Sequence, residues 1–202
     1  MQFSLEQIRY WMGAEFAARP KAESSASGYS IDSRTIQPGD LFFAVKGERF
    51  DGHDFVDAAL KAGAVAAVIS ATQSKRYPGA ATRQHLLLVD EPLDAMQRLA
   101  SSVRRHWGRR VIGITGSAGK TTTKEAVARV LESRFCIHKS QGNLNNHYGL
   151  PLQLLKLQPE HEVAIIEMGM SHAGEIAALC RIAAPDWGIV TNVGMAHAEN
   201  FV

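Results

Sequence analysis

The chain has 202 residues, enough for one large domain or two small ones, and its 46% hydrophobic and 21% charged content describes a packed interior under an ordinary polar surface. A net charge of +2 without a basic block gives no reason to expect nucleic acid, and no apolar run approaches the roughly 20 residues of a membrane span, so no membrane insertion is expected. The N-terminus has no apolar signal core, and Cys136 and Cys180 lack metal-ligand spacing; a cytoplasmic protein with buried free thiols is expected.

Apolar side chains at Phe3, Leu5, Ile8, Trp11, Met12 and Phe16 keep helical spacing over residues 3–18, with Ser4 available as a cap. A polar stretch of small residues at 21–28 reads as loop. Residues 29–31 begin an extended segment, Pro38-Gly39-Asp40 makes a turn, and residues 41–45 form a buried strand. A helix over 54–62 is stopped by Gly63. Strands follow at 65–69 and 86–89, then a helix over 92–105. The basic clusters Lys75-Arg76, Arg104-Arg105 and Arg109-Arg110 read as solvated faces or linker, and a boundary near Trp107 divides the chain into residues 1–106 and 107–202.

The second region opens with a strand at 111–115, a glycine turn, and a helix over 120–133. A short strand at 136–138, a polar segment at 140–149, a helix at 150–157, a strand at 163–167, a helix at 173–183 and a strand at 187–191 complete it. Alternating apolar strands and helices predict an α/β fold, with a mostly parallel sheet covered on both faces in the second region. So few strands make a small nucleotide-binding sheet, so the second domain is expected to be truncated.

The sequence Thr115-Gly116-Ser117-Ala118-Gly119-Lys120-Thr121-Thr122 carries the strongest chemical signal. A strand running through such a turn into a helix aims backbone N–H groups and the helix dipole at one spot, which suits phosphate. Lys120 can reach β- and γ-phosphates, and the Thr121 hydroxyl can ligate Mg²⁺. The longer common pattern asks for glycine where this chain has Ile114, so the match is to a shortened form. These residues predict binding of a nucleoside triphosphate.

Glu167 ends an apolar strand, where a parallel sheet presents ligand groups; it can serve Mg²⁺ or cap the following helix. His197 follows a later strand end and can be functional or structural. His172 reads as a loop residue. Asn145 and Asn146 lie in an amide-rich turn that can hold a substrate or only orient the loop. Ser33, Arg34 and Lys46 flank the strand at 41–45 and offer hydroxyl and cationic groups suited to a diphosphate, with turn and salt-bridge roles as the alternative.

Five segments in order resemble the Mur ligases, ATP-dependent amide-forming enzymes of peptidoglycan precursor synthesis. They are D-S-R-T-I-Q-P-G-D-L-F-F-A-V-K-G-E-R-F-D-G-H-D-F (32–55), T-G-S-A-G-K-T-T (115–122), G-N-L-N-N-H-Y-G-L-P (142–151), E-M-G-M-S-H-A-G-E-I (167–176) and T-N-V-G-M-A-H-A-E-N-F (191–201). The resemblance implies a small N-terminal α/β domain for a UDP-linked substrate, followed by an ATP-binding domain. Within the family it points to the member that joins D-alanyl-D-alanine to UDP-N-acetylmuramoyl-tripeptide through an acyl phosphate. It implies that Thr115–Thr122 hold ATP, that Lys120 and His197 are catalytic, and that Thr121, Glu167 and His197 hold metal. Ser33, Arg34, Lys46, Asn145 and Asn146 are then substrate residues. The family also has an activating carbamylated lysine and a C-terminal domain, both expected beyond Val202, so this piece alone is expected not to ligate. Other Mur-type ligases, a nucleotide-regulated binding module and a small-molecule kinase are the alternatives.

Overall fold

The computed structural model describes residues 1–19, 23–194 and 200, and the chain divides into two compact units, Met1–Leu99 and Ala100–Val202. The division falls inside a long helix.

In the first unit, β1 (Phe3–Ser4) runs directly into α1 (Leu5–Met12). The Ser4 hydroxyl accepts from the Gln7 N–H at 3.2 Å, which fixes the helix start, and Leu5, Ile8 and Met12 form its buried face. The helix is shorter than its apolar spacing predicts. Gly13 takes a left-handed conformation (φ +65°) and returns N–H bonds to the last turn, so Phe16 falls on a strand, β2 (Glu15–Phe16). The unit continues through β3 (Ser25–Ala26), β4 (Gly28–Ser30), β5 (Asp40–Phe43), a 3₁₀ turn at Gly52–Phe55, α2 (Val56–Lys61) and β6 (Ala66–Ser70). A second 3₁₀ turn (Ala71–Arg76), α3 (Ala80–Arg83) and β7 (Leu86–Val89) lead to α4 (Pro92–Trp107), which crosses into the second unit.

Among the described residues the main sheet of this unit has the order β2-β7-β6-β5-β4. β4 through β7 are parallel, and only β2 runs against its neighbour. Leu41, Phe42 and Phe43 are all fully buried, so β5 is covered on both faces, which is why it reads as an unbroken apolar run. Phe42, Ile69 and Leu86 pack with Val56 and Ala59 of α2.

The second unit contains β8 (Arg110–Thr115), α5 (Lys120–Leu131), β9 (Ile137–Lys139), α6 (Gly149–Leu154), β10 (Val163–Glu167), α7 (Glu175–Ala183) and β11 (Trp187–Val190). Its strands are parallel in the order β11-β8-β10-β9. Ala128, Val127 and Leu131 of α5 pack on Ile114 and Ile165, which seats the helix over the centre of the sheet. Such a sheet sends every strand's carboxyl end, and hence every following loop, to one edge.

Two further expectations from sequence do not hold. Arg104 is buried, not solvated: it donates to the carbonyls of Ala183 (2.9 Å) and Ala184 (3.1 Å) and to Asp186 Oδ2 (3.0 Å). Ala184 sits in a left-handed conformation (φ 41°) at the end of α7, and the guanidinium satisfies the carbonyls exposed there. Cys136 is exposed at the entrance to β9, and Cys180 is half-buried.

Candidate functional site

The glycine turn leaves β8 at Thr115 and enters α5 at Lys120. Gly116 has φ +139° and Gly119, the residue before the helix, φ +79°, conformations that side-chain-bearing residues rarely adopt. The turn is braced by the segment after β11. The Ser117 N–H donates to the Asn192 carbonyl (3.1 Å) and the Ala118 N–H to Asn192 Oδ1 (2.9 Å). Thr191 Oγ1 donates to the Ala118 carbonyl at 2.6 Å, and Ser117 Oγ lies 2.9 Å from the Gly194 N–H that donates to it. The N–H groups of Lys120, Thr121 and Thr122 lie in the first turn of α5, where a helix supplies no internal acceptor, and among the described residues no side chain caps it. Lys120 Nζ folds back onto the Gly116 carbonyl at 2.7 Å, which places the ammonium over the turn.

Glu167, at the end of β10, is 2% exposed. Thr121 Oγ1 donates to its Oε2 at 3.0 Å, and Asn145 Nδ2 donates to its Oε1 at 2.9 Å. Its backbone N–H donates to Ser140 Oγ at 3.1 Å, fixing the strand end against the residue after β9. Lys124 Nζ stands 3.6 Å from Oε2 and donates to the Ser140 carbonyl at 2.8 Å. Glu175 Oε2 accepts from the Ser171 and His172 N–H groups of the loop that precedes α7, and these bonds hold its carboxyl below the usual range.

The donor set suits a small hard cation. Adjacent oxygen ligands of octahedral Mg²⁺ stand about 3 Å apart, given bonds of about 2.1 Å, and Thr121 Oγ1 and Glu167 Oε2 already have that separation at 3.0 Å.

The sequence-predicted residues therefore divide. Lys120, Thr121, Glu167 and Asn145 lie in one cluster with the turn. Asn146 does not join it: its Oδ1 accepts from the Tyr148 and Gly149 N–H groups at the start of α6. His197 lies outside the described residues. Ser33, Arg34 and Lys46 belong to the first unit, in loops after β4 and β5, at the carboxyl ends of two adjacent parallel strands. Arg34 is exposed and paired with Asp32 at 2.7 Å, a bond that lowers the Asp32 carboxyl to about 2.

Reading the sequence missed Lys124, Ser140, Thr191 and Asn192. Lys124 had a visible signal: it interrupts the apolar stripe of α5 one turn before Ala128. The others act through backbone contacts that spacing does not reveal.

Two family models match successive stretches of the chain. The family model for the Mur ligase family, catalytic domain, matches residues 25–104, and that for the Mur ligase middle domain matches residues 114–202. The UDP-N-acetylmuramoyl-tripeptide--D-alanyl-D-alanine ligase of Bacillus subtilis (strain 168) is 44% identical over 184 residues, 91% of this chain and 39% of that protein. The Escherichia coli (strain K12) enzyme of the same name is 39% identical over 180 residues, 89% of this chain and 38% of that one. Among solved structures, MurF from Acinetobacter baumannii superposes with a TM-score of 0.87 at 32% identity, over 100% of this chain and 43% of its own. MurF ligase from Thermotoga maritima, solved in complex with ADP, gives 0.74 at 38% identity, over 91% of this chain and 39% of its own. The chain thus spans about two fifths of the length of these relatives.

Proposed function

Because the chain belongs to the Mur ligase family, we propose that it supplies the nucleotide-binding and UDP-substrate-binding parts of an ATP-dependent, ADP-forming acid–amino-acid ligase. The reaction proposed for the protein that these residues build is addition of D-alanyl-D-alanine to UDP-N-acetylmuramoyl-tripeptide, the reaction named in its relatives. Residues 1–106 would receive the UDP-linked substrate and residues 107–202 the nucleotide. The observation that carries the reading is the 3.0 Å contact of Thr121 with buried Glu167 beside a glycine turn whose following helix offers uncapped N–H groups.

The chemical task is to bring a carboxylate up to a triphosphate, two anions that repel. Lys120 would leave the Gly116 carbonyl for the phosphates, and the first-turn N–H groups of α5 would donate to the same oxygens. Thr121 and Glu167 would hold Mg²⁺, which supplies charge neutralisation at the phosphates when bound, and His197, by family resemblance, would serve a second metal. Asn145 acts on Glu167, holding one carboxylate oxygen so that the other faces Thr121. In the first unit Ser33, Arg34 and Lys46 would meet the diphosphate, with Arg34 exchanging Asp32 for a phosphate.

Calorimetry on the 202-residue chain tests this. Mg²⁺-dependent binding of ADP, lost in Lys120→Ala, and separate binding of UDP-N-acetylmuramoyl-tripeptide are expected. Nucleotide binding without any affinity for the UDP-linked substrate would favour a nucleotide-regulated module and overturn the ligase reading.

A further inference from the structure

Lys124 lies on α5 one turn beyond Thr121, and its side chain is 2% exposed. A buried ammonium must find acceptors, and the Ser140 carbonyl at 2.8 Å is one of them. Two carboxylates also face it, Glu125 Oε1 at 3.4 Å and Glu167 Oε2 at 3.6 Å. They are not equivalent. Glu125 is half exposed and bonded to Lys139 at 2.7 Å, so water and another lysine already serve it. Glu167 is as buried as Lys124, and the oxygen facing the ammonium is the one that accepts from Thr121.

We propose that Lys124 is a resident counter-ion for Glu167, one that keeps a free divalent cation out of the site so that the cation enters only with a polyanionic nucleotide tail. The inference rests on the reading of Thr121 and Glu167 as cation ligands. A divalent cation approaching without nucleotide meets a carboxylate whose charge is already offset, a neutral hydroxyl and a neighbouring ammonium. Against that weak field it must give up tightly held water. Phosphate oxygens restore the missing negative charge, so cation and nucleotide become mutually dependent. Without the ammonium, Glu167 is a buried carboxylate lacking its partner, and a small divalent cation becomes the group best able to balance it.

The test is binding of Mn²⁺ alone, with no nucleotide, to the 202-residue chain, followed by the paramagnetic signal of free Mn²⁺ and by thermal unfolding. Lys124→Met is expected to bind Mn²⁺ on the order of tenfold tighter than the parent chain or better, and to gain roughly 3 °C or more in Tm on adding it. Lys124→Arg should behave as the parent. The double variant K124M/E167Q, with both charges removed, should lose the gain. Equal Mn²⁺ affinity in parent and K124M, or a gain that survives in the double variant, would overturn the proposal. Should K124M unfold without metal, K124Q and refolding in Mn²⁺ decide: recovery with the cation supports the counter-ion, and failure to recover shows only a packing role. Failure of the underlying reading is distinguishable. Glu167→Gln would then leave Mg²⁺-dependent ADP binding unchanged, whereas failure of the counter-ion alone leaves that dependence on Glu167 intact.

Discussion

Gly116 and Thr191 share a space too small for any side chain on the glycine: a Cβ there would stand 2.1 Å from Thr191 Oγ1 and 3.0 Å from the Asn192 backbone nitrogen. Gly116→Ala is therefore expected to cost about 2 kcal/mol or more, combining the steric contact with the strain of φ +139°. Nucleotide binding should be lost with it, as read by denaturant unfolding and calorimetry. Adding Thr191→Ala should not restore binding, because the backbone strain remains and the bond to the Ala118 carbonyl is gone.

Thr121→Val keeps the shape of the side chain but removes the hydroxyl that meets Glu167. ADP binding in Mg²⁺ should weaken by on the order of tenfold, while binding in a chelator changes little. Asn145→Leu should produce a smaller loss with the same metal dependence, since it frees one oxygen of Glu167 without removing a ligand. Equal losses with and without metal would separate these residues from the cation.

Burial, aided by neighbouring His161 and Lys156, pulls the His138 imidazole down to about 4. An unfolded chain takes up that proton near 6.5, so between these values the unfolded state binds more protons and stability falls as the solution is acidified. The contribution is complete above pH 6.5, is lost as the pH falls through 4, and amounts to roughly 3 kcal/mol. Chemical denaturation across this range should show the slope, and His138→Leu should flatten it. An unchanged slope would assign the acid sensitivity to other groups.

Arg104 is buried, and Asp186 also accepts from the Val111 N–H (2.8 Å) and from Arg110 (2.9 Å). Asp186→Ala leaves a buried guanidinium and an unpaired strand N–H, and is expected to cost about 3 kcal/mol. Arg110→Ala removes only the exposed arm of the network and should cost less than about 1 kcal/mol. Urea unfolding of the two variants separates them.

The central strands were legible because burial on both faces writes itself as continuous apolar sequence; Val163–Glu167 has the bounds that its composition predicts, whereas β11 is largely exposed. Helix ends were less legible. The spacing through Phe16 suggests a longer first helix, but Gly13 and the pairing of Phe16 with Leu87 outweigh periodicity. Short elements such as β1, β3 and α3 carry too few residues for any period to appear. At the candidate site, the turn and Glu167 could be read because their chemistry resides in residue type. Asn145 and Asn146 could not be told apart, because adjacent amides differ only in direction. One reaches Glu167, and the other is consumed by α6. Arg104 misled because a basic cluster looks solvated until a helix end elsewhere in the sequence claims one of its members.

The clasp between residues 117–118 and 191–194 makes two stretches, far apart along the chain, into a single mechanical part. Displacing the polypeptide beyond β11 would drag Asn192 and so tilt the amides of Ser117 and Ala118. The posture of the glycine turn ahead of α5 is thereby set at a distance, by whatever steadies the exit from β11.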